Sequence, residues 1–317
     1  MRPLISFIIT YYNEPTDYLL KAIESVKQLS LQAKEREIIV IDDGSEHCPL
    51  EALAEIKDEI VYLRHKNAGL SMTRNCGLQI AEGQYMQFID ADDELIPSVY
   101  EHCLDIVRYK NPDLVMFDFT EKEGFVMKVT TAKTEGPIDG SVWMKNNNVR
   151  ASACAYIFKK DILLNLRFEK GLIQEDEAFT PQLILRAEQL YYTDAKAYFY
   201  RQREGSIQHT HDEKHTEKSL NDVEKIIFQL QDVATTQSHT NRQAMERRVA
   251  QLTMDYLYNI IKKTHNRSEL ENRIERLRAR NLFPLPNKDY TWKYKYFRKL
   301  IGSRIGRIIL NTIIGKH

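Results

Sequence analysis

The sequence predicts an α/β protein: a mostly parallel sheet with helices on both faces, followed by a helical segment at the C-terminus. Two observations carry this. Apolar runs rich in Ile, Val and Phe alternate with amphipathic segments through the first half of the 317 residues, the pattern of a parallel sheet covered by crossover helices. From about Glu217 onward, Leu220, Val223, Ile226, Leu230 and Val233, and then Met245, Val249, Leu252, Tyr256 and Ile260, keep helical spacing without a strand between them.

In chain order the predicted strands are "LISFIIT" (4–10), "EIIVID" (37–42), "IVYLRH" (60–65), "YMQFID" (85–90) and "DLVMFDF" (113–119), with helical patterns at 17–32, 50–58, 70–82 and 97–110. Between 121 and 153 the pattern loosens. "GFVMKV" reads as a strand, "DGSVWMKNN" as a short helix and "ASACAYIF" as a strand. Residues 175–187 read as a helix, and "LYYTD" with "AYFYRQ" as a pair of short strands. The expected division is a first half at 1–95, a second half of the same domain at 96–215, and a helical extension at 216–317.

Composition bounds the function. With 43% hydrophobic and 28% charged residues the chain can bury a sizeable core. Lys plus Arg and Asp plus Glu both count 45, so no overall field attracts nucleic acid, and no nucleic-acid partner is expected. Cys48, Cys76, Cys103 and Cys154 form no C-x-x-C pair, which reads as reduced thiols in a cytoplasmic protein. The apolar run at the N-terminus ends at Tyr11 and Tyr12, too soon for a signal peptide.

In open parallel sheets ligands bind at the carboxyl ends of the strands, and here those ends carry polar clusters. "TYYNE" follows the first strand, "DDGS" the second, "HKNAGLSMTRN" the third and "DADDE" the fourth. Any one of these could be a helix cap or a solvated turn. Four on one edge make a site.

The last cluster sets Asp90, Asp92 and Asp93 on one turn with no lysine or arginine beside them in sequence, and crowded like charges repel. A hard divalent cation, Mg²⁺ or Mn²⁺, offsets them, and so short a ligand set leaves room for a substrate diphosphate. Lys66 and Arg74, around the start of the third helix, can meet the same phosphates, with Asn67, Gly69 and Asn75 shaping the turn. Otherwise Arg74 serves an ordinary salt bridge. Asp42 or Asp43 can accept hydrogen bonds from a base or ribose, and Tyr11 can stack on a base or simply close the core edge.

Taken together, "FIITYYNE", "IIVIDDGS", "NAGLSMTRNCGL", "GQYMQFIDADDEL", "QEDEAF" and "YRQREGSI" closely resemble family 2 glycosyltransferases of the GT-A fold, over residues 1 to 207. Each piece is weak alone, and the ordered set is specific. The resemblance implies an inverting enzyme that takes a sugar from a nucleotide-diphosphate sugar, a UDP-sugar, with Mg²⁺ or Mn²⁺, and passes it to a hydroxyl of a glycan or lipid-linked glycan. It implies that Thr10, Tyr11, Asn13 and Glu14 line the nucleotide site and that Asp42 holds the base or ribose. Lys66, Asn67 and Arg74 fall near the diphosphate, Asp90 on the ribose side, and Asp92 is the main metal ligand, with Asp90 beside it. Glu175 and Asp176 match the acidic catalytic motif, Asp176 being the expected base and Glu175 its alternative. Arg203 and Ser206 would reach the diphosphate from a closing loop, and His209 or His211 could add a contact.

Other readings fit less of the sequence. A sugar-nucleotide pyrophosphorylase should show a Gly-rich loop after the first strand, where this chain has Tyr-Tyr-Asn-Glu. "MFDFT" lacks the second carboxylate of a phosphatase-type Asp-x-Asp. A catalytically silent nucleotide- or glycan-binding subunit is the alternative from another class, and the presence of both Asp92 and Asp176 favours an enzyme. Finally, residues 288–317 hold eight basic residues against Asp289 alone, interleaved with Tyr290, Trp292, Tyr294, Tyr296 and Phe297 and followed by Leu300, Ile301, Ile305, Ile308 and Ile309. This segment suits a peripheral attachment at the inner face of the cytoplasmic membrane, or else packs on the protein itself.

Overall fold

The structure, a computed structural model, describes residues 2–127, 131–202 and 213–314. It divides into two compact units. The first comprises Met1–Gly140, Ala151–Gly171 and Gln182–His209, and the second Ser141–Arg150, Leu172–Pro181 and Thr210–His317.

The first unit is built on one nine-stranded sheet. Strands β1 (Ile5–Tyr11), β2 (Arg36–Asp42), β3 (Val61–Arg64) and β4 (Tyr85–Asp90) lie side by side in the order β3-β2-β1-β4, all parallel. Beyond them the sheet becomes mixed. β8 (Tyr156–Lys159) runs antiparallel to β4 and to β6 (Leu114–Thr120), β6 runs parallel to β9 (Leu190–Phe199), and the two-residue β5 (Glu94–Leu95) and β7 (Thr134–Ile138) pair antiparallel with β9. This is the GT-A type of α/β architecture.

Helices α1 (Thr16–Lys27), α2 (Leu70–Ile80) and α3 (Pro97–Lys110) cover the sheet. Their sides can be read from β1, where successive side chains point to opposite faces. Phe7 meets the ring of Tyr100 from α3 at 6.2 Å, whereas its neighbour Ile8 lies under α2. The approach on that face is so close that a Cβ on Gly77 of α2 would sit 2.2 Å from Ile8 Cγ2, so this helix position requires glycine. β1 is buried on both faces, with Ile5, Phe7 and Ile9 on one and Ser6, Ile8 and Thr10 on the other, the two hydroxyls being satisfied by Glu37 and Asp90.

Four segment expectations are corrected. Residues 50–58 form turns around a short 3₁₀ stretch, Ala54–Ile56, instead of a helix. "GFVMKV" contributes no strand at 124–127, residues 128 and 129 lying outside the described residues, and the strand there is β7. "ASACAYIF" splits into a 3₁₀ turn at Ala153–Ala155 and β8. "LYYTD" and "AYFYRQ" make one ten-residue strand, β9, because Ala195 and Ala197 continue its buried face and no glycine or proline interrupts it.

The second unit is helical. Short α4 (Gly140–Asn146) enters it and α5 (Asp176–Ile184) begins in it; α6 (Glu213–Thr235), α7 (His239–Thr264), α8 (Arg267–Ala279), α9 (Trp292–Ile301) and α10 (Arg304–Ile314) complete it. A buried polar cluster ties three of these together. Glu224 of α6 accepts hydrogen bonds from Tyr256 of α7 at 2.6 Å and from Arg273 of α8 at 3.4 Å, and pairs with Arg276 at 2.5 Å.

Candidate active site

The parallel register gathers the strand ends into one rim. Thr10 stands beside Asp90 across the β1–β4 pair, and Tyr11 beside Asp42 across β1–β2. Loops then lace these ends together. Asp43 N donates to Tyr11 O at 2.9 Å, His65 N to Asp42 O at 3.1 Å and Ala91 N to Thr10 O at 3.0 Å. Gly44, at φ +76°, lets the second loop touch the third: a Cβ there would lie 2.7 Å from Asn67 N.

At the first strand end, Tyr11 is 2% exposed and its hydroxyl donates to Glu14 O at 2.9 Å. Its stacking on a base is therefore corrected: the ring belongs to the core, and the exposed aromatic is Tyr12, at 47%. Asn13 adopts φ +61°, accepts a hydrogen bond from Glu46 N at 2.7 Å and donates its own N–H to Ser45 Oγ at 3.0 Å. Glu14 accepts from Tyr12 N at 2.5 Å.

The two aspartates of "DDGS" separate. Asp42 is fully buried, accepting hydrogen bonds from Ser45 N at 2.8 Å and Tyr62 OH at 2.7 Å. Asp43 accepts from Ala68 N at 2.7 Å and Gly69 N at 2.9 Å, which fixes the turn leading into α2. Lys66 and Asn67 stand exposed on that turn.

The acidic turn after β4 answers its own repulsion in part. Arg74 is only 2% exposed, its guanidinium lying between the rings of Phe88 (5.7 Å) and Phe168 (5.4 Å), and its Nη2 reaches Asp90 Oδ1 at 3.2 Å. Thr10 Oγ1 donates to the same oxygen at 3.2 Å. Asp93 is buried; it accepts hydrogen bonds from Tyr198 OH at 2.8 Å and Arg201 N at 2.8 Å. Burial, with the charges of Asp90 and Asp92 behind it, pushes the Asp93 carboxyl up to about 8. Tyr198 OH also accepts from Asp90 N at 3.1 Å, and Arg201 Nε donates to Asp92 O at 3.0 Å while its Nη2 pairs with Glu94. The expectation of a turn without a neighbouring cation is thus corrected: two arginines reach it through the fold, from positions distant in sequence.

On this turn the Asp92 side chain is partly exposed and that of Asp90 one-third exposed. The donor set fits Mg²⁺ or Mn²⁺, both hard cations that prefer carboxylate oxygen. Among the described residues no group of three or more His, Cys, Asp or Glu side chains comes together that could hold a metal ion.

The second acidic motif lies in the helical unit. Glu175 is buried and Asp176, the first residue of α5, is partly exposed. Gln174 before them adopts φ +64°, and Glu175 O accepts from Ala178 N and Phe179 N, both at 3.1 Å, to open the helix. Two helices hold this turn. Arg248 of α7 pairs with Glu177 and donates to Val149 O at 3.0 Å, and Asp222 of α6 accepts from Ile173 N at 2.8 Å. Burial lowers the Arg248 guanidinium to about 10. Arg203, Ser206, His209 and His211 lie outside the described residues.

Sequence reasoning did not find Tyr198, Arg201 or Arg248. The first two stand inside a stretch whose polar residues after an apolar run repeat the signal of the other strand ends. Arg248 carries no such mark, since a basic residue in "MERRVA" reads as one more solvated helix position.

The family described as Glycosyl transferase family 2 matches residues 6–163. Glycosyltransferase GlyA of Streptococcus pneumoniae serotype 4 is 29% identical over 229 residues, covering 66% of this chain and 32% of that protein. The minor teichoic acid biosynthesis protein GgaB of Bacillus subtilis is 30% identical over 207 residues, 63% of this chain and 23% of that protein. The chain therefore spans a third or less of the length of these two relatives. Among solved structures, S. aureus TarS 1-349 in complex with UDP-GlcNAc has a similar fold, with a TM-score of 0.71 at 18% identity over 100% of this chain and 91% of that one.

Proposed function

Because the chain belongs to glycosyltransferase family 2, we propose that it moves a sugar from a UDP-sugar to a hydroxyl of a glycan or lipid-linked glycan, inverting the anomeric carbon. The observation that carries this reading is the turn after β4, where Asp90 and Asp93 are held by Arg74, Tyr198 and Arg201 while the Asp92 carboxylate stands partly exposed beside Asp90. Two relatives support the rest: GgaB is a minor teichoic acid biosynthesis protein, and TarS was solved in complex with UDP-GlcNAc.

In this reading residues 1–95 bind the donor. Asp42, buried and with its oxygens held by Ser45 and Tyr62, supports from beneath the part of the rim that takes the base or ribose, and Thr10, Tyr11, Asn13 and Glu14 shape that side through their loop. Lys66 and Asn67, exposed on the turn before α2, serve the diphosphate; Arg203, outside the described residues, is assigned to it by the sequence resemblance alone. Arg74 acts as a positioning residue that holds Asp90. A divalent cation on Asp92 and Asp90 would supply charge stabilisation to the departing diphosphate. Residues 96–215 take the acceptor, and Asp176 removes the proton from its attacking hydroxyl, with Glu175 as the alternative base. We place the work at the inner face of the cytoplasmic membrane, where a lipid-linked acceptor is found. Among the described residues no helix is long and apolar enough to cross a membrane, so attachment would be peripheral.

Calorimetry tests the donor half of the reading. UDP should bind the intact chain in Mn²⁺ and lose most of its affinity in chelator or in the Asp92→Asn variant. Equal affinity with and without chelator would remove the metal from the mechanism, and release of UDP from no UDP-sugar tried would favour a silent binding subunit.

A further inference from the structure

The C-terminal helices present an apolar surface that the donor and acceptor chemistry does not use. On α10, Ile305, Ile308, Ile309, Thr312 and Ile313 are exposed, and their spacing of three and four residues places them on one face. Ile305 and Ile313 are 72% and 59% exposed. The opposite face is spent on the protein: Leu310 is buried, Arg307 pairs with Glu271 of α8 at 2.7 Å, and Gly306 lies so close to Leu300 that a Cβ would meet its carbonyl at 2.0 Å. On α9 the same division holds. Tyr294 and Ile301 are buried and Phe297 meets the ring of Tyr258, while Trp292, Tyr296, Lys299 and Leu300 share an exposed face. The stripe expected from sequence as continuous is therefore two helices, each half docked and half open.

We propose that α9 and α10 form an in-plane anchor that holds this protein on an anionic lipid surface. An amphipathic helix binds in that way when its apolar side chains enter the acyl boundary, aromatic rings sit at headgroup level and cations meet the lipid phosphates. All three elements are present here. The isoleucines of α10 supply the first, Trp292 and Tyr296, in ring contact at 6.5 Å, the second, and the exposed cations Lys293, Lys299 and Arg304 the third. None of those three cations forms a direct ion pair among the described residues, in contrast to Lys295, which pairs with Asp289 at 2.8 Å; Lys299 acts on Asp289 only at longer range, helping to hold its carboxyl below the usual range. Charge also selects the occupant. A second copy docking by two-fold symmetry would set these cations against themselves, whereas anionic lipid complements them. The anchor shares with the proposed function only the lipid-linked acceptor, and it is read by binding without turnover, so either can fail alone.

The test uses the full chain and vesicles of phosphatidylcholine with or without phosphatidylglycerol. The chain has two tryptophans; Trp143 is 5% exposed and Trp292 is 70% exposed, so emission reports on the anchor. Phosphatidylglycerol vesicles should sediment the protein and shift Trp292 emission to the blue, and binding should weaken as salt rises. Ile305→Glu with Ile309→Glu should weaken binding about tenfold or more with unchanged circular dichroism, and Lys299→Glu with Arg304→Glu should abolish the preference for anionic lipid. Unaltered binding in both variants overturns the proposal. So does an intact chain that ignores vesicles, including one that self-associates in ultracentrifugation and becomes monomeric in the isoleucine variant, since a second copy then covers the face.

Discussion

Arg248 and Glu177 form an ion pair that fixes the acidic turn at the head of α5 to the long helix α7. The guanidinium is almost wholly buried and the carboxylate about one-fifth exposed, so the two are not equivalent. Losing Glu177 leaves the buried guanidinium only the longer-range charge of Asp255 as a counterpart, while losing Arg248 leaves a Glu177 that water can reach.

Glu177→Gln should therefore lower stability by about 3 kcal/mol, and Arg248→Met by less, because breaking a buried pair costs most when the charge left behind is the buried one. Urea unfolding of the two variants gives the comparison. Both should keep UDP affinity and lose turnover, since they disturb Glu175 and Asp176 rather than the donor rim. Weakened UDP binding with normal turnover would reverse that assignment.

Asp176→Asn should leave UDP binding unchanged and reduce turnover by about 10² to 10⁴, the usual worth of a positioned base. Single-turnover measurements with a competent acceptor check this. Glu175→Gln, at a buried position, should instead show its main effect in thermal stability. If Glu175→Gln is the inactive variant and stays folded, the base is Glu175.

Tyr198→Phe removes one hydroxyl that both receives Asp90 N–H and donates to Asp93. The loss should cost about 1–3 kcal/mol, the range for buried polar groups left without a partner, and should weaken Mn²⁺-dependent UDP binding as the turn loosens. A variant with wild-type UDP affinity would show that the turn keeps its shape without that bridge.

Arg74→Met keeps the apolar packing between Phe88 and Phe168 but discharges the partner of Asp90. Donor affinity should fall while the fold persists, and Arg74→Lys should restore little, because an ammonium cannot stack as a planar guanidinium does. Titration calorimetry on both variants decides it.

Much of this was legible in the residues. Buried parallel strands write long apolar runs, and the polar clusters that end them name the rim directly: Thr10, Asp42 and Asp90 meet there through strand register alone. Tyr11 misled because its neighbour Tyr12 has the same ring, and only the packed strand end shows which of the two is inside. Arg74 was noticed for its charge, yet the aromatic rings that bury it come from Phe88 and from Phe168, which is far along the chain. Tyr198, Arg201 and Arg248 act through pairings of about seventy to a hundred and nine residues, which no local pattern encodes.

The bonds from Tyr198 and Arg201 to the turn at 90–93 also impose an order of assembly. They close a loop of more than one hundred residues, and such contacts form late because their closure entropy is met only after nearer structure exists. On the ribosome, β1 to β4 can pair as soon as residue 90 has emerged, but the carboxylates that follow must wait until residue 201 is free of the tunnel. A truncated product that ends with the matched family region at 163 would carry Asp90 and Asp92 and still lack the clamp that sets them. The geometry of the proposed donor turn is thus completed only by the second half of the sheet.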